Sequence, residues 1–151
     1  MLIGVLSDTH GTLPPGVDEA FRDVDRIIHA GDIGPAWILD HLEAIAPVIA
    51  VRGNMDSGEL EWRLQDRAVI QADGQRVMVV HQAAPLLRAG VPEGVTVLVS
   101  GHTHRARVEH VGGLLHVNPG SAGGRSRDGR GPTVALLDCA ADPPTASIIE
   151  L

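Results

Sequence analysis

The apolar residues of this chain fall into short runs, and where the runs stop is as informative as where they occur. Leu2–Leu6, Arg26–His29 and 47–51 are rich in Ile, Val and Leu, and each passes directly into a polar or glycine-containing turn. Such uninterrupted runs mark strands buried on both faces. Between them, 16–23 and 35–44 carry apolar residues at helical spacing, the second with Pro35 inside its first turn. Alternating strand and helix predicts parallel strands joined by helical crossovers. Beyond Gly58 the spacing predicts a short helix through Gln65, then strands at 68–71 and 76–80 that follow one another closely. Ala83–Ala89 is a further short helix and 95–100 a strand, while Ala106–Val111 and 114–117 flank Gly112-Gly113, a hairpin-turn signal. Thr133–Asp138 and 146–151 close the series. The order fits two facing sheets with helices outside, an α/β layered sandwich rather than one parallel sheet. The Gly-, Pro- and Arg-rich stretch 118–132 predicts a mobile surface loop, and Pro143-Pro144 a turn.

Composition acts mainly by exclusion. With 151 residues, 44% hydrophobic and 21% charged, the chain is expected to form one domain over 1–151, folded and water-soluble. No apolar run is long enough to span a bilayer. Residues 1–6 lack a basic start and a long apolar stretch, so they do not read as a secretory signal, and a cytoplasmic location is expected. The single Cys139 can form no internal disulfide and reads as a small buried apolar residue. A net charge of −7 is the wrong sign for diffuse attraction to nucleic acid, and 2% aromatic residues with no Tyr make a poor base-stacking surface. Small substrates are favoured, with neither nucleic acid nor membrane as partner.

Four strand ends deliver side chains able to bind metal: Asp8 and His10 in Ser7-Asp8-Thr9-His10, Asp32 after Gly31, Asn54 after Gly53, and His102 with His104 in Gly101-His102-Thr103-His104. His81, after 76–80, is a fifth contribution. In a layered α/β fold, loops leaving the carboxyl ends of neighbouring strands meet in one crevice, so residues remote in sequence can share a site. Taken singly, each fragment is an ordinary turn or cap. His-x-His is more specific, because alternate residues of an extended segment point the same way. Oxygen and imidazole ligands suit Mn²⁺, Fe, Co²⁺, Ni²⁺ or Zn²⁺, and the absence of Cys ligands argues against structural zinc. Two ions about 3.5 to 4 Å apart can clamp an in-line phosphoryl displacement and activate water, with no side-chain nucleophile.

The ordered set Asp-x-His, Gly-Asp, Gly-Asn, His, Gly-His-x-His resembles the calcineurin-like metallophosphoesterase superfamily. In length, in Val51-Arg52-Gly53-Asn54 and in Asn118-Pro119-Gly120-Ser121 it is similar to that superfamily's small single-domain bacterial and archaeal phosphodiesterases. The resemblance implies a four-layer α/β/β/α sandwich of two mixed β-sheets flanked by helices. It implies two divalent cations, Mn²⁺ first with Ni²⁺, Fe, Co²⁺ or Zn²⁺ as alternatives. One would be held by Asp8, His10 and His104 and the other by Asn54, His81 and His102, with Asp32 bridging and metal-bound hydroxide attacking phosphorus.

Two positions depart from the family pattern. Larger members place a proton-donating His directly after the Gly-Asn pair, where this chain has Met55. Good leaving groups, such as aryl phosphodiesters, are therefore expected to be preferred over alkyl phosphates. Gln82 follows His81 where relatives usually have Gly. Asp56 reads as a turn cap before it reads as a substitute acid. Arg125, Arg127 and Arg130 could grip a substrate phosphate, although a solvated loop is the stronger reading. His29, His41, His110 and His116 read as packing or surface residues, and Trp37 and Trp62 as core or interface contacts that could support a homodimer. The rival functions are a protein-binding scaffold, as in the retromer subunit that resembles this fold, a phosphomonoesterase, and a nuclease, which the charge disfavours.

Overall fold

The structure is a computed structural model of the chain and describes every residue except Arg125. Its elements run β1 (Leu2–Leu6), α1 (Gly16–Ala20), β2 (Arg26–His29), α2 (Trp37–Glu43), β3 (Val48–Ala50), α3 (Glu59–Arg63) and β4 (Arg67–Ala72). They continue with β5 (Gln75–Val80), α4 (Ala83–Ala89), β6 (Val97–Val99), β7 (Ala106–Val111), β8 (Leu114–Pro119), β9 (Thr133–Asp138) and β10 (Thr145–Glu150). Two five-stranded mixed sheets result, in the orders β10-β9-β1-β2-β3 and β4-β5-β6-β8-β7. β1, β2 and β3 are parallel, as the alternation of strand and helix predicts, and β9 closes antiparallel on β1. In the second sheet β5, β6 and β8 are parallel, and antiparallel hairpins complete both edges.

Side-chain alternation along these strands divides the core into three sets, one for each interface between layers. Ile3, Val5 and Ile28 of the first sheet meet Val77, Val79, Val97 and Val99 of the second. On the other face of the first sheet, Leu6, Ile27 and Val134 pack against α1, α2 and α3 through Val17, Ile38, Leu42 and Leu60. On the other face of the second sheet, Met78, Val80 and Leu98 pack against Ala83 and Leu86 of α4. This is the four-layer α/β/β/α sandwich. A strand that serves two interfaces is apolar on both faces, which is why β1 and Val77–Val80 of β5 carry unbroken apolar runs. Cys139 is buried in the inter-sheet core, as expected.

Three local expectations differ. The helix expected at 16–23 is only Gly16–Ala20, and α2 begins after Pro35 rather than enclosing it. Trp37 and Trp62 are 49% and 82% exposed, so neither belongs to the core. The stretch 118–132 is only partly a surface loop. Asn118 through Ala122 is buried, and the amides of Ala122 and Gly123 bond to the carbonyls of Ser7 and Asp8. Among the described residues no helix is long and apolar enough to cross a membrane.

Candidate metal centre

The parallel strands end together, and the loops that leave them lie side by side. After β1 the chain pairs with the loop after β2, with Asp8 N–H on Gly31 O, His10 N–H on Asp32 O and Gly11 N–H on Ile33 O, each at 3.0 Å. The glycines preceding Asp32, Asn54 and His102 are required by how closely these loops approach. A Cβ at Gly31 would stand 2.7 Å from His81 Nδ1, one at Gly53 2.8 Å from Asp32 Cγ, and one at Gly101 2.7 Å from Asp8 Oδ2. At Gly31 and Gly53 another candidate ligand occupies the volume a side chain would need, and at Gly101 Ser7 and Asp8 share it.

All seven candidate residues converge at this edge. Asp8, Asp32 and His81 form the buried floor, His10 and His104 are half-buried, and Asn54 and His102 face solvent. His104 Nε2 lies 3.3 Å and His10 Nε2 3.7 Å from Asp8 Oδ1, and the two histidine nitrogens are 3.3 Å apart. Asp32 Oδ2 lies 3.3 Å from His81 Nε2 and 3.8 Å from His10 Nε2, so this carboxylate faces both halves of the cluster. Asp8 Oδ1 does so too, at 3.9 Å from His81 Nε2. On the solvent side His102 Nδ1 and Asn54 Oδ1 are 3.1 Å apart, and the His81 and His102 rings meet edge to face.

Two observations indicate that this arrangement fits cations. Asp8 Oδ1 and His81 Nε2 are buried without a hydrogen-bond partner, a costly condition for polar atoms unless something else satisfies them. The ligand atoms of Asp8, His10 and His104, and those of Asp8, Asp32 and His81, lie within 4.8 Å of one another. Two atoms bound about 2.1 Å from one ion at tetrahedral or octahedral angles stand roughly 3.0 to 3.4 Å apart, close to the separations found here. The backbone carries strain at the same place. Six described non-glycine residues have positive φ, and five of them are Asp8, His10, Asp32, His102 and His104. Such conformations cost about 1 to 3 kcal/mol each and persist where the surroundings enforce them.

The electrostatics also call for positive charge. Burial raises the Asp32 carboxyl, but the His81 ring and the Met55 N–H outweigh it and hold the group below its ordinary value. Burial lowers His81, but Asp32, the Ala30 carbonyl and Asp8 outweigh it and raise the ring above its ordinary value. His81 Nδ1 donates to Ala30 O at 2.7 Å, which leaves Nε2 of the neutral ring with its lone pair toward the carboxylates.

A further ring of residues holds these side chains in place. Asp56, read from sequence as a turn cap, spans two loops. Its carboxylate accepts N–H from Ile33 at 2.8 Å, Gly53 at 2.8 Å, Asp32 at 3.0 Å and Gly34 at 3.4 Å. Asn118 Nδ2 donates to Gly101 O and Thr103 Oγ1, fixing the His102-Thr103-His104 loop. His29 is buried, and burial lowers its ring to about 3, so it is neutral. Its Nδ1 accepts from Gly31 N–H, its Nε2 donates to Thr9 Oγ1, and Thr9 donates to Ile33 O. His41 and His110 are exposed, and His116 is buried against Ser100, in keeping with packing and surface roles. Arg127 reaches the cluster through its backbone, donating N–H to His104 O, and Arg130 faces Asp128 and Glu150. Arg125 lies outside the described residues.

Comparison with known proteins agrees with the geometry. Residues 1–142 match the calcineurin-like phosphoesterase superfamily domain. A probable metallophosphoesterase of Methanothermobacter thermautotrophicus is 38% identical over 133 residues, covering 80% of this chain and 77% of the relative. The solved structure of an archaeal phosphodiesterase superposes with a TM-score of 0.84 at 29% identity, covering all of both chains. Vps29 of Chaetomium thermophilum shares the fold at 20% identity, with a TM-score of 0.78 over all of this chain and 97% of its own. Family match, identity and fold point the same way, and the chain belongs to the calcineurin-like phosphoesterase superfamily.

Proposed function

We propose that this chain is a dinuclear-metal-dependent phosphoesterase, and specifically a phosphodiesterase that hydrolyses small phosphodiesters. The observation that carries the reading is the convergence of Asp8, His10, Asp32, His81 and His104, with Asn54 and His102 at their open side, on Asp8 Oδ1 and His81 Nε2, both buried without a hydrogen-bond partner. Asp8, His10 and His104 would hold one cation and Asn54, His81 and His102 the other, with Asp32 facing both. Bound there, divalent cations would supply an activated water as nucleophile and neutralise charge on the phosphoryl oxygens. The chain's own part is to fix donor atoms in advance. Ser7 Oγ and His102 N–H hold Asp8 Oδ2, leaving Oδ1 to face the cluster, while Met55 N–H holds Asp32 Oδ1 and leaves Oδ2 free to do the same. Asn54 and His102, on the open side, meet an incoming phosphoryl group first. Met55 is 66% exposed beside them and has no proton to give a leaving oxygen.

The same reading includes one domain over 1–151, Mn²⁺ as the preferred ion and a cytoplasmic location. The complete set of candidate ligands favours chemistry over a scaffold of the retromer-subunit type. The test is a screen of metal-stripped protein against Mn²⁺, Ni²⁺, Co²⁺ and Zn²⁺, with aryl phosphodiesters, phosphomonoesters and cyclic nucleotides side by side. Metal-dependent release from diesters is expected. Activity confined to monoesters would move the assignment to a phosphomonoesterase, and none with any metal would favour the scaffold.

A further inference from the structure

Two cavities flank the metal centre, and their charge differs. The larger, about 760 Å³, sets Arg52 and Arg67 against Asp56, Glu61 and Asp66, and Arg52 is engaged by Asp66 at 2.7 and 3.0 Å. The smaller, about 450 Å³, opens beside His102 and has Arg88, Arg105 and Arg107 in its lining with no carboxylate. Arg107 pairs with Glu109 at 2.9 Å, outside that lining. Among the described residues, Arg88 and Arg105 have no carboxylate partner.

In a chain of net charge −7 with twelve cationic residues, gathering three around one cavity is not the surface background. An anion entering a cavity lined by Arg88 and Arg105, neither offset by a carboxylate, gains charge-assisted hydrogen bonds there. The lining is also partly apolar: Ala83, Ala84, Pro85 and Leu87 of α4, the helix that carries Arg88, contribute to it, and Leu87 is 47% exposed. The volume lies within the roughly 300 to 1,000 Å³ range of small-molecule sites.

We infer that this cavity receives one ester substituent of the substrate, and that this substituent carries a second anionic group, a carboxylate or a phosphate, on an apolar frame. The inference rests on the phosphoesterase reading, since it places the reacting phosphoryl group at the metal centre beside His102. It makes the smaller cavity the determinant of substrate class, while the larger, with two arginines against three carboxylates, selects no anion.

The test is binding of product-like phosphonates to the Mn²⁺-loaded protein by calorimetry. Benzylphosphonate is compared with its meta-carboxy and meta-phosphate derivatives, in the wild type and in Arg88→Gln/Arg105→Gln. Both arginines are on the surface, so the variant is expected to fold, which circular dichroism checks. The doubly anionic ligands are expected to bind about tenfold more tightly than benzylphosphonate, with the ratio shrinking as salt is raised and falling toward one in the variant. Whichever derivative binds more tightly identifies the anion. Equal Kd values for all three ligands, or a ratio that survives in the variant, overturn the inference and leave the phosphoesterase reading standing. Failure of all three to bind overturns that reading, and the inference with it.

Discussion

Replacing Asp56 by Asn keeps the side chain's shape and removes part of its function. The carboxylate accepts four backbone N–H groups, from Asp32 and Gly53 on Oδ2 and from Ile33 and Gly34 on Oδ1. An asparagine offers one acceptor oxygen, so in either orientation its NH₂ group faces one pair of N–H donors. Leaving a buried donor unsatisfied costs about 1 to 3 kcal/mol, and the remaining bonds lose the strengthening that charge gives them. The 3.4 Å bond from Gly34 is weak, so the best orientation leaves one good donor and one weak donor unmet, for a total of about 2 to 4 kcal/mol. Urea unfolding followed by circular dichroism measures that loss. Metal affinity by calorimetry should fall as well, because the loops Asp56 joins carry Asp32 and Asn54. Leu42→Ala is the control. Leu42 is fully buried under the first sheet, away from the cluster, so its truncation costs about 2 to 5 kcal/mol and should leave metal affinity unchanged. Unfolding of Asp56→Asn within about 0.5 kcal/mol of wild type, with unaltered metal affinity, would refute the reasoning.

Other consequences are open to measurement. Hydrolysis of aryl phosphodiesters should exceed that of alkyl diesters by a wide margin, and Met55→His should narrow it, since general-acid help is typically worth ~10² to 10⁴-fold; equal rates on both classes in the wild type would contradict this. Gly53→Ala should abolish tight metal binding, because the added Cβ meets the Asp32 carboxylate and amide; retained stoichiometry and affinity would show that the loops can separate. His29 is ordinarily 6.5 and is lowered to about 3 by burial, so the unfolded chain takes up its proton first as pH falls. The stability that His29 supports is complete above about 6.5 and is lost progressively as pH falls toward about 3, by on the order of 1 kcal/mol per pH unit. Comparing wild type with His29→Gln across that range isolates this slope, and parallel pH profiles would exclude it.

Much of this architecture was legible because its determinants are local. Strands packed on both faces are apolar where both faces are covered, so β1, Ile27-Ile28 of β2 and Val77–Val80 of β5 appear as apolar runs. Seven candidate ligands were legible because each follows a strand and three follow a glycine whose missing side chain makes room for another ligand. What escaped was non-local. The segment from Asn118 to Ala122 has the composition of a solvent loop, yet it is buried because its bonding partners, Ser7 and Asp8, lie more than a hundred residues away. Asp56 looks like an ordinary turn residue until Asp32, Ile33 and Gly34, over twenty positions earlier, are brought beneath it. One local signal was available and unread: Asp73-Gly74 joins β4 to β5 as a tight hairpin turn, with positive φ at both residues. The exposure of Trp37 and Trp62 follows from which side of a short helix faces the sheet, and helices of seven and five residues give too few turns to reveal it.

The central claim is that Asp8, His10, Asp32, Asn54, His81, His102 and His104 gather two cations. Anomalous diffraction from crystals of the protein loaded with Mn²⁺ tests it directly. Two peaks about 3.5 to 4 Å apart are expected, one against Asp8, His10 and His104 and the other against Asn54, His81 and His102, with Asp32 between them. Fully occupied Mn²⁺ elsewhere on the molecule, or no peak beside Asp8 and His81 in well-ordered crystals, would contradict it.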